Sequence, residues 1–318
     1  MHDTLITHTA YAAEQIRPYI RQTPFDRSDA LSAAVAGEVY AKLENLQHTG
    51  SFKVRGALNK LLALPPAIRA RGVVAASSGN HGAAVAYGAQ ALGTTAIVFV
   101  PEHAAPAKVA AMQARGATVR FAGDDALIAE LAAREYAKQQ QLAYLSPYND
   151  LDVIAGQGTI ALELLDQTPP LDTIVVAVGG GGLVAGVAAT LKAYWPAIQV
   201  IGALPAASPV MAESVRAGQI LDLPSLPTLS DGTAGGIEPG AVTFDLCRTL
   251  VDSFILVDEA AIAAAIRLFL ADQHVLIEGA AGVAVAAVQA LAPALRGQRV
   301  GVIICGGNIS LTALRDLL

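Results

Sequence analysis

The stretch Ile174-Val175-Val176-Ala177-Val178-Gly179-Gly180-Gly181-Gly182-Leu183 reads as an apolar strand, a turn of four glycines and the first residue of a helix. Glycines at that junction leave backbone N–H groups uncovered at a helix N-terminus, where the peptide dipoles add to their attraction for an anion. A dinucleotide site shares this pattern but needs a carboxylate about 20 positions on, at the end of the next strand. Here that strand ends Val200-Ile201-Gly202-Ala203, without an acid, and no Gly-Lys-Ser/Thr turn of the nucleoside-triphosphate kind occurs. The turn therefore suits a single phosphate.

Working outward, the same unit recurs on both sides. Residues 73–76, 95–100, 117–121 and 143–144 read as strands, alternating with helices over 80–92, 106–115 and 125–140. After a helix over 151–166, a second series places strands at 172–178, 199–203, 254–257 and 299–304, with helices between them. Such alternation predicts the α/β class with parallel sheets and right-handed crossovers. At 318 residues the chain exceeds what one core usually holds, so two open parallel-sheet lobes facing each other across a cleft are expected. Ahead of the first series lie a helix over 9–21, a strand within 38–46 and a helix over 52–64 that stops at Pro65-Pro66. The loop over 223–240, rich in Pro, Ser, Asp and Gly, is long for such a fold, and long loops there carry function.

Composition narrows the function classes. With 53% hydrophobic and 15% charged residues the chain reads as an ordered protein with buried sheets. Its mean hydropathy of +0.47 raises the question of a membrane span, but charges break every long segment and no run of about 18 uninterrupted apolar residues points to one. His2, Asp3, Glu14 and Arg17 make the amino terminus unlike a signal peptide, so a cytoplasmic protein is expected. Cys247 and Cys305 are too few for a disulfide framework and suit a reducing compartment. A net charge of -6 without a basic block argues against nucleic acid as a partner. The six histidines show no metal-ligand spacing, and no Gly-x-Ser-x-Gly elbow supports a hydrolase.

Four further features carry chemistry. Thr49-Gly50-Ser51-Phe52-Lys53-Val54-Arg55-Gly56-Ala57 sets one lysine between small residues and an aromatic. A lysine that loses its proton near neutral pH condenses with an aldehyde, and pyridoxal phosphate is the commonest biological aldehyde of that kind. Ser77-Ser78-Gly79-Asn80-His81-Gly82 is a polar turn at the carboxyl end of a strand, where open α/β sheets bind ligands. Ser77, Ser78 and its amides suit a carboxylate, and Asn80 suits a phenolic oxygen. Ile303-Ile304-Cys305-Gly306-Gly307-Asn308 repeats the pattern; Cys305 reads either as a buried small hydrophobe or as a weak partner for a ring nitrogen. Of two acids, Glu278 reads as a helix N-terminal charge, whereas Glu238 is presented by the glycine-rich turn Gly235-Gly236-Ile237-Glu238-Pro239-Gly240.

Taken together with Val153-Ile154-Ala155-Gly156-Gln157-Gly158-Thr159-Ile160-Ala161, these stretches resemble the threonine dehydratase and serine racemase family of fold-type II pyridoxal-phosphate enzymes, whose fold is tryptophan synthase β-like. The resemblance spans nearly the whole chain. It implies Lys53 as the Schiff-base lysine and base, Ser78 as a second acid or base, Phe52 beside the ring and Asn80 on its phenolic oxygen. It also implies Gly179, Gly180, Gly181 and Gly182 on the phosphate, Cys305 at the ring nitrogen, and Ser77, Ser78, Gly79, Asn80 and His81 around the substrate carboxylate. Residues 1–70 and 149–318 would form a large cofactor-binding domain, residues 71–148 a small substrate-clasping one, and the chain would form a homodimer.

The expected reaction is dehydration and deamination of a β-hydroxy amino acid, with racemisation as the rival and a non-catalytic phosphate-ligand-binding protein as the distant alternative. Departures from the family pattern bear on metal and substrate. Gly202-Ala203-Leu204-Pro205 stands where racemase-like members carry a metal-binding glutamate, so no metal is expected. Tyr148 and the Glu238 loop also differ from the common form, which points to a bulkier side chain on the small amino-acid substrate. Enzymes of phenylserine breakdown and hydroxyectoine catabolism resemble this branch.

Overall fold

The computed structural model describes residues 2–318. Ten strands form two sheets: β1 Phe25–Arg27, β2 Glu38–Lys42, β3 Val73–Ala76, β4 Ala96–Val100, β5 Thr118–Phe121, β6 Ala143–Tyr144, β7 Thr173–Ala177, β8 Gln199–Pro205, β9 Ser253–Val257 and β10 Arg299–Ile303. The larger sheet runs β1-β2-β10-β7-β8-β9 and the smaller β5-β4-β3-β6. Every pairing is parallel except that of β1 with β2. That one antiparallel edge departs from the all-parallel expectation. β1 is too short for a period-2 signal, and it reaches β2 through a helix, Asp29–Val35, that the expected element order also omits.

Burial follows the βα units. β7 is buried along its whole length, as a central parallel strand covered on both faces must be. The helix Gly182–Tyr194 behind it is buried continuously from Gly182 to Leu191, and its small residues make that possible. Among the described residues no helix is long and apolar enough to cross a membrane.

The helix Lys53–Ala63 joins the lobes. Its Val54, Ala57, Leu58 and Leu61 sit in the core of the smaller sheet with Val73, Val85 and Val98. Its other side meets the helix Leu151–Gln167 so closely that a Cβ on Gly156 would stand 2.6 Å from the Gly56 Cα. Gly56 N–H donates to the Gln157 side-chain oxygen at 3.1 Å across the same contact. Arg55, fully buried, adds a forked pair to Glu44 at 2.7 and 2.8 Å and reaches Glu163 at 2.7 Å. Lys42, on β2, shares Glu163 at 2.5 Å. The start of this helix is thereby fixed from several sides, and Lys53 is its first residue.

Candidate active site

Strand ends supply the site. The carboxyl ends of β3, β7 and β10 open into a cleft of about 420 Å³ lined by Lys53, the turn 77–81, the glycines 179–182 and Cys305. Tyr148, Lys108, Asp231 and Glu278 also line it.

Backbone pairing sets Lys53 beside Cys305. Phe52 N–H donates to the Cys305 carbonyl at 3.0 Å, and Ser51 bridges to Gly306. The Lys53 Nζ donates to the carbonyl of Pro147 at 2.9 Å and lies 5.2 Å from the centre of the Phe52 ring. Burial lowers its pKa from 10.5 to about 8, with Cys305 and Glu278 pulling weakly the other way. An amine so placed reaches its nucleophilic form close to neutral pH.

The glycine turn is shaped for backbone. Gly181 has φ +87°, left-handed, and a Cβ on Gly180 would stand 2.4 Å from the Tyr148 ring. Among the described residues no protein acceptor meets the amides of Gly179, Gly180 or Gly181. The Tyr148 hydroxyl accepts the Glu238 N–H at 2.9 Å, which holds the ring against Gly180; burial pushes its pKa up to about 12, against the pull of that N–H.

In the serine turn, the Ser77 hydroxyl accepts Gly79 N–H at 3.1 Å, while Ser78 has no hydrogen-bond partner among the described residues. His81 is buried and its Nε2 donates to the Leu145 carbonyl at 2.9 Å. Burial, aided by the Lys53 charge, lowers its pKa to about 3, so the ring is neutral with its proton on Nε2. Its donor is spent on the fold, and the ring supports the turn more than it offers a grip. Burial also raises the Cys305 thiol well above its ordinary range, so it keeps its proton.

Two acids change places relative to the sequence reading. Glu238 does not line the cleft: its carboxylate takes Arg134 at 2.8 Å and the Asn149 amide at 3.1 Å. Glu278 does line it and is 5% exposed. Although it sits at a helix N-cap, its side chain caps no backbone amide there. Burial raises its pKa to about 7 against the pull of the Asn308 N–H.

An amine of lowered pKa, uncovered amides at a helix N-terminus and a polar turn thus converge on one cleft. The family model for pyridoxal-phosphate dependent enzymes matches residues 16–306. The chain belongs to that family. Pyridoxal phosphate is its cofactor, and the groups in the cleft fit it: a basic amine for its aldehyde and free amides for its phosphate. An L-threonine ammonia-lyase of Thermotoga maritima is 40% identical over 307 residues, covering 96% of this chain and 76% of that protein. Threonine deaminase isoform 2 from Solanum lycopersicum superposes with a TM-score of 0.95 at 30% identity, covering 99% of this chain and 92% of the other. Maize serine racemase superposes with a TM-score of 0.92 at 34% identity, over 98% and 95% of the two chains.

Proposed function

We propose that this chain is a hydroxy amino acid ammonia-lyase: it removes water and then ammonia from a β-hydroxy L-amino acid of the threonine or serine type and releases the 2-oxo acid. The observation that carries this reading is the buried Lys53 amine, shifted to about 8, in one cleft with the glycine and serine turns. Relatives named for threonine deamination support it.

Bound pyridoxal phosphate supplies an electron sink that makes the Cα–H of an attached amino acid acidic. The chain's own residues do the rest. With a pKa of about 8, roughly one Lys53 in ten is deprotonated at pH 7. That amine takes the Cα proton as general base. The amides of Gly179 to Gly182 would hold the phosphate, and Phe52 would pack beside the ring. Ser77, Ser78 and the amides of Gly79 and Asn80 bind the substrate carboxylate, with His81 fixing the turn from behind. Asn80 would donate to the ring's phenolic oxygen. Cys305, a protonated thiol, is a weak partner for the ring nitrogen, which favours loss of a β-substituent over transamination. Tyr148 lines the cleft, and its departure from the common family form suits a bulkier β-hydroxy amino acid such as phenylserine.

In the same reading the segment 71–148 clasps the substrate while 1–70 and 149–318 hold the cofactor. The chain works in the cytoplasm, consistent with two buried free thiols, as a homodimer that sedimentation would test. Racemisation is the second reading, favoured by the unpartnered Ser78 hydroxyl in the cleft as a second acid or base. Single enantiomers of threonine, serine, phenylserine and hydroxyaspartate separate the two. Oxo acid and ammonia released together support the lyase, and loss of optical rotation without oxo acid contradicts it.

A further inference from the structure

Glu278 is a buried carboxyl that the reaction above does not use. Burying such a group costs free energy unless its oxygens are hydrogen-bonded. It precedes the helix Gly279–Ala290 but donates nothing to, and accepts nothing from, that helix's first turn through its side chain. Its oxygens are spent elsewhere. Oε1 accepts the Asn80 Nδ2 at 2.7 Å, and Oε2 accepts the Asn308 backbone N–H at 2.9 Å. Asn308 closes the ring of contacts: its Nδ2 donates to the Asn80 Oδ1 at 2.6 Å and to the Thr49 carbonyl at 2.8 Å. Space for the carboxyl comes from Gly306, where a Cβ would stand 2.5 Å from Oε1.

Counting donors decides what Asn80 has left. An asparagine amide offers two N–H groups and one oxygen. The oxygen is held by Asn308 and one N–H by Glu278, so the remaining offer to the cleft is the second N–H. A carboxylate only accepts, so turning the amide over would set oxygen against oxygen at Glu278 and nitrogen against nitrogen at Asn308. In its ionised form, which prevails above about pH 7, the carboxyl thus enforces one orientation. Charged and titratable groups that face it are Asp231, Lys108, Lys53 and Cys305.

We propose that Glu278 is a positioning residue for the cofactor: with Asn308 it holds the Asn80 amide so that an N–H faces the phenolic oxygen of the ring. This rests on the cofactor reading and on Asn80 as that oxygen's partner. Glu278 acts through Asn80 and touches no reacting atom.

The test is a double-mutant cycle on the purified protein stripped of cofactor and titrated with pyridoxal phosphate. Glu278→Gln keeps the size of the side chain but introduces an N–H donor, which lets the Asn80 amide turn over. Its apparent dissociation constant for pyridoxal phosphate is expected to rise about tenfold, the worth of one hydrogen bond. The absorbance band of the Schiff base is expected to titrate at a shifted pH. In an Asn80→Ala background, Glu278→Gln should change the dissociation constant by less than about twofold, because the two residues act as one unit. Asn308→Ala, on an exposed turn and so a milder risk to folding, should show the same loss and the same non-additivity. Equal losses in both backgrounds, with the band unmoved, overturn the positioning role while leaving the cofactor reading intact. Absence of the band from the unmutated protein overturns both.

Discussion

The Lys53 ammonium donates to the carbonyl oxygen of Pro147 at 2.9 Å, tying the first residue of the helix Lys53–Ala63 to the segment that leaves β6. The contact holds the amine inside the cleft without neutralising it, since a carbonyl carries no charge. Burial then sets its proton affinity.

Lys53 should therefore capture an aldehyde at a lower pH than other lysines. Protein stripped of cofactor is expected to form the Schiff base with a rate that rises through about pH 8, where Lys53 deprotonates. Stopped-flow absorbance across pH 6 to 10 would measure it. A rise centred on the ordinary lysine range would show that the amine is not desolvated.

Arg55 shares its guanidinium between Glu44 and Glu163, and removing it leaves a wholly buried Glu44 carboxylate without its partner. Arg55→Met keeps the length and loses the charge. Urea unfolding is expected to show a loss of about 3–5 kcal/mol, the usual cost of breaking a buried pair. A loss under about 1 kcal/mol would mean that Lys42 and water compensate.

Glu278 makes stability depend on pH in a defined sense. Its carboxyl is raised to about 7 in the fold from an ordinary 4.5, so the fold favours the protonated form. Its contribution is complete below about pH 4.5 and is lost as pH rises towards 7. Relative to Glu278→Gln, the unmutated protein should lose on the order of 3 kcal/mol between pH 4.5 and 8. Parallel urea midpoints for the two proteins across that range would contradict it.

Gly180 is packed against the Tyr148 ring, and a methyl there would stand 2.4 Å from it. Gly180→Ala must push the ring away from the glycine turn or distort the turn itself. Pyridoxal phosphate affinity is expected to fall at least tenfold, with stability lowered by about 1–3 kcal/mol from overpacking. Tyr148→Phe, which only removes the acceptor for Glu238 N–H, should cost about 1 kcal/mol. Equal retention of cofactor by Gly180→Ala and the unmutated protein would show that the turn does not hold the phosphate.

Local grammar made most of this legible. A strand followed by glycines or small polar residues and then a helix is a short-range pattern, and it located the turns at 77–82, 179–182 and 305–308. Lys53 was found the same way, by its glycine neighbours. What the sequence hid depends on distance along the chain. Glu278 looks like a helix-start charge because its partners Asn80 and Asn308 lie 198 and 30 positions away. Glu238 looks presented by its glycine-rich loop because Arg134 and Asn149, which take its carboxylate, come from elsewhere in the fold. β1 is three residues long and its antiparallel pairing with β2 leaves no periodic trace. The helix Asp29–Val35 did carry a signal, Ser28 as N-cap, its hydroxyl accepting Leu31 N–H at 3.4 Å.

The central claim is that Lys53 carries the cofactor. Reducing the purified, cofactor-loaded protein with borohydride fixes a Schiff base as a stable amine, and peptide mass mapping then locates it. A single pyridoxyl-modified peptide containing Lys53, absent from the Lys53→Ala variant, is the predicted result. A modification mapped instead to Lys108, the other lysine lining the cleft, or no modification at all, would contradict the account.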